Sequence, residues 1–193
     1  MHKLSIVSEQ NPLDALYIPS PLVCEPIMHV WLVKEAYEAF YKLSRDMQDN
    51  GLSPVLGIRG YQCFAYQKKL YLNEAQRLIR LGEKGINAYE KAKQHTLPPG
   101  CSEHQLGVAI DVGLSKQDKP TDAQSFESTS QFRWMSQYAK EYGFILRYPK
   151  DKESVTGVSY RPWHYRYVGV GHAKKMDKLS LCLEEYYQTF YAH

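Results

Sequence analysis

The sequence predicts an α+β domain in which a small antiparallel sheet is flanked by helices, and three observations carry that prediction. Apolar side chains recur at helical spacing in the first half of the chain, and short alternating stretches follow in the second half. No regular strand–helix–strand alternation joins them, which argues against a parallel sheet. At 193 residues the chain is long enough to bury one core without disulfide support, so residues 1–193 read as a single compact domain.

Residues 1–28 read as an extended arm that wraps the core, with turns at Pro12, Pro19, Pro21 and Pro26. From Val30 to Met47 the apolar positions Val30, Val33, Tyr37, Phe40, Tyr41 and Met47 predict an amphipathic helix, stopped by Asn50-Gly51. Val55 to Ile58 reads as a short strand, and Ala65 to Leu81 as a second helix closed by Gly82. Residues 83–97 fit neither period, and Pro98-Pro99-Gly100 then forces a turn. Val108 to Val112 alternates as a strand, with Val108, Ile110 and Val112 on one face and Asp111 beside the small Ala109 on the other. Residues 115–127 read as loop, Gln131 to Tyr142 as a helix ended by Gly143, and Phe144 to Tyr148 as a strand. Val155 to Val168 reads as two strands broken by Pro162, and Leu179 to Tyr191 as a closing helix.

Composition narrows the function. A hydrophobic fraction of 44% with 23% charged residues is globular, and no low-complexity tract dilutes it. The formal charge of +3 is spread along the chain, which argues against a nucleic-acid partner. Cys24, Cys63, Cys101 and Cys182 are far apart and form no CxxC pair, as expected of reduced thiols. The N-terminus lacks the apolar run of a signal peptide, and no segment reaches the roughly 20 apolar residues of a membrane span. A cytoplasmic protein is the expectation; oligomeric state leaves no trace in the sequence.

His104 and Asp111 stand seven positions apart across a glycine-containing turn, a two-ligand half-site of the kind that suits zinc. A catalytic zinc needs a third protein ligand and one open position, and His164, in the aromatic run Pro162-Trp163-His164-Tyr165, is the best candidate. His2 and His193 are terminal, His29 and His172 sit at helix starts, and His95 lies in polar sequence, so each fits the role less well. Local chemistry leaves the three chosen residues equally readable as packed side chains.

Ser102 to Asp111 matches SxHxxGxAxD, and Trp163 to Gly169 matches WHxRYVG, in the same order and at a suitable distance. In these two segments the chain resembles the zinc D,D-peptidases of the VanY and VanX type. The likeness spans about residues 50–170, and the runs LPPGCSEHQLGVAIDVG and YGFILRYPKDKESVTGVSY are most similar to VanXY proteins of vancomycin-resistance clusters. The resemblance implies the fold shared by hedgehog domains and D,D-peptidases, with Zn2+ on His104, Asp111 and His164. It further implies cleavage of D-Ala-D-Ala, either the free dipeptide or the end of a peptidoglycan precursor, with Ser102 helping to hold the substrate. Loops at 83–100 and 115–130 would set the choice between them.

Two positions depart from the family pattern. Where the family carries a Glu three residues before the second histidine, as general base and then proton donor, this chain has Arg161, which cannot accept a proton. Where the family's Gly-Tyr-Arg segment supplies an oxyanion-stabilising Arg, this chain has Gln62. General acid–base assistance is typically worth ~10²–10⁴-fold, and an oxyanion donor ~10²–10³-fold. Arg161 could take over the oxyanion role or clamp a ligand carboxylate. Glu153, Asp151 and Glu103 are the nearest carboxylates in sequence, though none occupies the motif position and Glu103 is expected to point away from His104. Cys101 has no base placed to activate it. The readings are therefore an active zinc D,D-peptidase with an unusual base, or a pseudoenzyme that binds zinc and D-Ala-terminated peptides without turnover. A purely structural domain is the remaining alternative.

Overall fold

The computed structural model describes residues 3–115 and 123–192. Elements run in the order β1 Leu22–Cys24, β2 Trp31–Val33, α1 Lys34–Asp49, β3 Leu56–Arg59, α2 Phe64–Arg80, α3 Ile86–His95, β4 Ala109–Gly113 and α4 Ala123–Glu127. They continue as α5 Ser130–Tyr138, β5 Phe144–Leu146, α6 Glu153–Thr156, β6 His164–Tyr167, α7 Val170–Leu179 and α8 Leu183–Phe190. Strands β1 and β2 form an antiparallel pair, and the other four form an antiparallel sheet in the order β3-β4-β6-β5. The α+β expectation therefore holds.

Sheet periodicity separates a core face from a site face. Ile110 and Val112 of β4, Phe144 of β5 and Tyr165 of β6 pack against Phe40, Leu43 and Met47 of α1 and Met135 of α5. On the opposite face of the same strands stand Asp111, His164 and Arg166, each almost fully buried. A second cluster joins Leu4 of the N-terminal arm to Val168, Ala173, Met176, Leu183 and Tyr186, so both ends of the chain pack beside β6.

Several boundaries move from those the sequence predicts. Trp31 to Val33 is strand rather than helix, because Leu32 is buried between exposed Trp31 and half-buried Val33 in register with β1. The buried stripe of α1 is Ala36, Phe40, Leu43 and Met47, and Tyr41 faces solvent. Residues 86–95, ambiguous in sequence, form α3, tied to α2 by the Tyr71 hydroxyl donating to the Tyr89 carbonyl at 3.0 Å. Of the two strands expected over 155–168, only the second forms, as β6. Residues 153–156 form the one-turn α6, ended by Gly157 at φ +68°, and a carboxylate oxygen of Glu153 accepts from the Tyr160 backbone N–H at 2.5 Å, so no first strand forms. The closing helix is α8, beginning at Leu183 rather than Leu179, and a further helix, α7, stands before it, the two separated at Ser180 with φ 53°. Of the expected loop at 115–127, residues 123–127 are helical and residues 116–122 lie outside the described residues.

Candidate metal centre

Register assembles the site. Across β3 and β4, Arg59 pairs with Asp111; across β4 and β6, Asp111 pairs with His164. Directly paired residues on one face bring their side chains together, so three neighbouring strands set Arg59, Asp111 and His164 in a row. His104 arrives from the single 3-10 turn Glu103–Leu106 that leads into β4, capped by Ser102, whose Oγ accepts from the His104 N–H at 3.4 Å. That turn closes on Gly107 at φ +71°, where an added Cβ would lie 3.0 Å from both Pro19 and Val33. The glycine of the motif is thus fixed by backbone conformation and crowding together.

Ligand-capable atoms of His104, Asp111 and His164 lie within 4.8 Å of one another, and among the described residues this is the one group of three such side chains. His104 Nε2 is 3.5 Å from Asp111 Oδ1, close to the ~3.3 Å edge of a zinc tetrahedron. His164 Nδ1 is 2.6 Å from the same oxygen, a direct hydrogen bond that a cation would replace. The tautomers suit metal binding. His104 Nδ1 lies 2.8 Å from the Gly60 carbonyl, which can only accept, so Nδ1 carries the proton and Nε2 keeps its lone pair. Gly60 itself has no room for a side chain, since a Cβ would come within 2.4 Å of the Trp31 carbonyl oxygen. On the far side of the His164 ring, Nε2 and Glu103 Oε2 face each other at 3.8 Å, both buried and both without a hydrogen bond. They become donor and acceptor once Nδ1 gives its lone pair to a cation, the carboxylate–histidine–metal arrangement.

Charge balance supports the same use. Burial pushes the Asp111 carboxyl up, but His104 and His164 outweigh it and hold the group well below the usual carboxylate range. Burial keeps the His104 imidazole below its ordinary value of 6.5, so it is neutral. The outer Asp111 oxygen, Oδ2, has Arg59 Nη1 at 3.5 Å. Glu103, expected to point away from His104, pairs through Oε1 with Arg147 Nε at 2.7 Å and Arg166 Nη1 at 2.9 Å. Burial would raise that carboxyl too, and the two guanidinium groups, with His164, reverse the shift and carry it well below the usual range. Arg147 is held in turn by Glu184 of α8 at 2.8 Å, and Arg166 by the Lys3 and Ser5 carbonyls at 2.9 and 3.1 Å. Sequence reading missed Glu103 and Arg59 as site residues. Its available signal was Arg147 and Arg166 standing inside apolar strands, where a charge needs a buried partner.

A cavity of about 290 Å³ opens beside His104 and is lined also by Ser102, Arg59, Arg161, Leu97 of the Pro turn, and Glu74 and Arg77 of α2. Ser102, His104 and Arg161 therefore meet in one space. Gln62 is not among the lining residues; it stands on the turn into α2, with its N–H donating to the His104 carbonyl at 3.2 Å and its side-chain oxygen buried without a hydrogen bond. Asp151, on the loop after β5, and Glu153, at the start of α6, are not among the residues lining the cavity either. Its one carboxylate among the described residues, Glu74, is gripped at both oxygens by Arg77 at 2.8 and 2.7 Å, and that contact lowers its pKa.

An antiparallel sheet that carries Asp111 and His164 next to a turn-borne His104, with His104 lining a cavity, is the arrangement of a metallopeptidase domain of the D,D-peptidase class. The chain belongs to the VanY D-alanyl-D-alanine carboxypeptidase family, which it matches over residues 29–170. It is 37% identical over 191 residues to the bifunctional D-Ala-D-Ala dipeptidase and D-Ala-D-Ala carboxypeptidase VanXYC of Enterococcus gallinarum, covering 97% of this chain and 94% of that protein. Among solved structures, a VanY D,D-pentapeptidase variant from a VanB-type resistance cassette, in complex with Zn(II), superposes with a TM-score of 0.80 at 30% identity, covering 95% of this chain and 98% of the other. VanYB in complex with D-alanine-D-alanine superposes with a TM-score of 0.82 at 31% identity, covering 97% and 98%. Among the described residues no helix is long and apolar enough to cross a membrane.

Proposed function

We propose that this chain holds zinc on His104, Asp111 and His164 and acts on D-Ala-D-Ala, as the free dipeptide or at the end of a peptidoglycan precursor, in cell-wall metabolism and glycopeptide resistance. The observation that carries the reading is the buried His104–Asp111–His164 group, with the His104 imidazole oriented by the Gly60 carbonyl and lining the cavity that also holds Ser102. When bound, zinc supplies a Lewis acid for the scissile carbonyl and a water acidified to a pKa of about 7. The chain's own part is to hold His104 Nε2, Asp111 Oδ1 and His164 Nδ1 on that ion, with Gly60, Arg59 and Glu103 fixing each from behind. Ser102 keeps its hydroxyl proton free for a substrate carbonyl or carboxylate, since Oγ is used only as an acceptor from His104. The four free thiols, Cys24, Cys63, Cys101 and Cys182, fit the cytoplasmic setting this reading includes.

One observation favours a second reading, in which zinc and D-Ala-terminated peptides bind without turnover: Arg161 lines the cavity and no unengaged carboxylate does, among the described residues. The two are separated by assaying D-Ala release from zinc-loaded protein beside an Arg161→Glu variant. Restoring a base raises release by ~10²–10⁴-fold, and EDTA abolishes it. D-Ala release that persists after complete metal removal rejects the zinc peptidase reading, and release by the wild type at the variant's rate rejects the non-hydrolytic one.

A further inference from the structure

The positive charge of the chain is concentrated in one helical hairpin. Residues 64–95, which form α2, a short turn and α3, hold seven Lys and Arg against three Glu, a net +4 where the whole chain carries +3. Interspersed Glu residues hide this excess in the sequence. Glu74 is taken by Arg77, Glu83 by Lys91 and Glu90 by Lys93. Lys68, Lys69, Arg80 and Lys84 are left with no carboxylate within ion-pair distance among the described residues.

The same hairpin stands proud of the body. Of the 17 residues of α2 only Gln67 and Ala75 are buried, and of the ten of α3 only Ala88 and Ala92. At its tip Leu81 and Ile86 flank the turn at 82–85 and are 70% and 75% exposed, and Ile79, beside Arg80, is 44% exposed. A Cβ added at Gly82 or Gly85 would meet nothing within 4 Å, so the tip is open on every side of the turn. Backbone conformation accounts for the two glycines, at φ +100° and +48°, and not for the Leu and Ile next to them. One exposed Leu is ordinary. Three large aliphatic side chains at one turn, with the free cations Arg80 and Lys84 among them, are complementary in charge and polarity to the boundary of an anionic bilayer.

We propose that the tip between α2 and α3 docks on an anionic lipid surface, with Ile79, Leu81 and Ile86 entering the acyl boundary and Arg80 and Lys84 at the level of the phosphates. A polyanion without an apolar layer, such as a nucleic acid, would use the cations and leave the three aliphatic groups in water. Arg77 and Glu74, which line the cavity beside His104, precede Leu81 by about 6 and 10 Å along the helix axis. Docking therefore sets that cavity close to the lipid. The tip needs neither zinc nor a peptide for this, so the surface is separate from the peptidase reading.

Cosedimentation of the full chain with vesicles tests this, using pure phosphatidylcholine and an equal mixture of phosphatidylcholine and phosphatidylglycerol. Binding to the mixed vesicles is expected to be roughly 20-fold tighter, about fivefold for each of Arg80 and Lys84, and to weaken as salt rises. Arg80→Gln with Lys84→Gln removes the preference. Leu81→Ser with Ile86→Ser lowers binding to the mixed vesicles by about tenfold or more. Leu16→Ser, at an equally exposed site on the N-terminal arm, leaves it unchanged, as does removal of metal by EDTA. Circular dichroism confirms that each variant is folded. No preference for the anionic vesicles, or undiminished binding by the Leu81 and Ile86 variant, overturns the proposal. A dimer in light scattering that this variant dissociates also overturns it, since a second copy then covers the tip. So does oligonucleotide binding that the Arg80 and Lys84 variant loses, in a protein that ignores both kinds of vesicle.

Discussion

Asp111 and His164 face each other across a strand pair, whereas Arg161 and Gln62 stand on the turns that lead into β6 and α2. The first two are 1% and 3% exposed and are held by ladder register, so their separation is set by the sheet itself. Arg161 is half-buried, and its backbone closes a turn between the Tyr148 carbonyl and the His164 N–H. Changing its side chain leaves the sheet untouched. A pair of side chains carried on a sheet and a side chain carried on a loop can therefore diverge independently.

Asp111→Asn attacks the sheet-borne half directly and carries the largest expected effect. The amide removes the charge that both imidazoles share and leaves the Arg59 contact without an anion. Zinc affinity, measured by competition with a chromogenic chelator, is expected to fall by more than the ~10–100-fold that loss of an outer partner costs. Near-wild-type zinc binding in this variant would mean that the metal, if any, sits elsewhere.

Glu103→Gln sharpens the comparison from behind. It removes the negative charge of the group that faces His164 Nε2, and zinc affinity is expected to drop ~10–100-fold. It also leaves Arg166 in the interior with no carboxylate, while Arg147 keeps only Glu184, and leaving one side of a buried ion pair uncompensated costs ~3–5 kcal/mol. Chemical denaturation of the apo and zinc forms separates the two terms. An apo protein as stable as the wild type would show that the buried ion group does not brace the site.

How much of this was legible in the sequence follows from the same division. The His104–Asp111 spacing, the Gly107 turn and the strand over Ala109–Gly113 are local, and local pattern located them. His164 was found because it stands in an aromatic strand. Arg59 and Glu103 take their meaning from partners 52 and 44 residues away, across strand register and a buried ion group, which no window of sequence contains. Helix α7 was left unassigned, although His172 was read at a helix start, because only Ala173 and Met176 of its ten residues are buried and they make no long apolar stripe. Of the two strands read over 155–168, the first is absent: residues 153–156 are helical, and the Tyr160 N–H is taken by the Glu153 side chain rather than by a second strand.

The smallest effect is expected on the face of the sheet turned away from the metal. There the Tyr142 hydroxyl donates to Asp46 Oδ2 at 2.8 Å, joining α1 to the turn after α5. Burial, and then the Asp46 hydrogen bond, push the Tyr142 phenol from 10.0 up to about 12. A raised pKa means that the fold favours the neutral phenol, so this contribution is complete below pH 10.0 and is lost as pH rises through about 12. Tyr142→Phe removes it at all pH values, at ~0.5–1.5 kcal/mol near neutrality. Melting curves of the two proteins should therefore differ at pH 8 and converge towards pH 12, with zinc content at neutral pH unchanged. A gap that persists at high pH would show that the ring's packing, rather than its hydroxyl, holds α1. A loss of zinc would show that the two faces of the sheet are coupled after all.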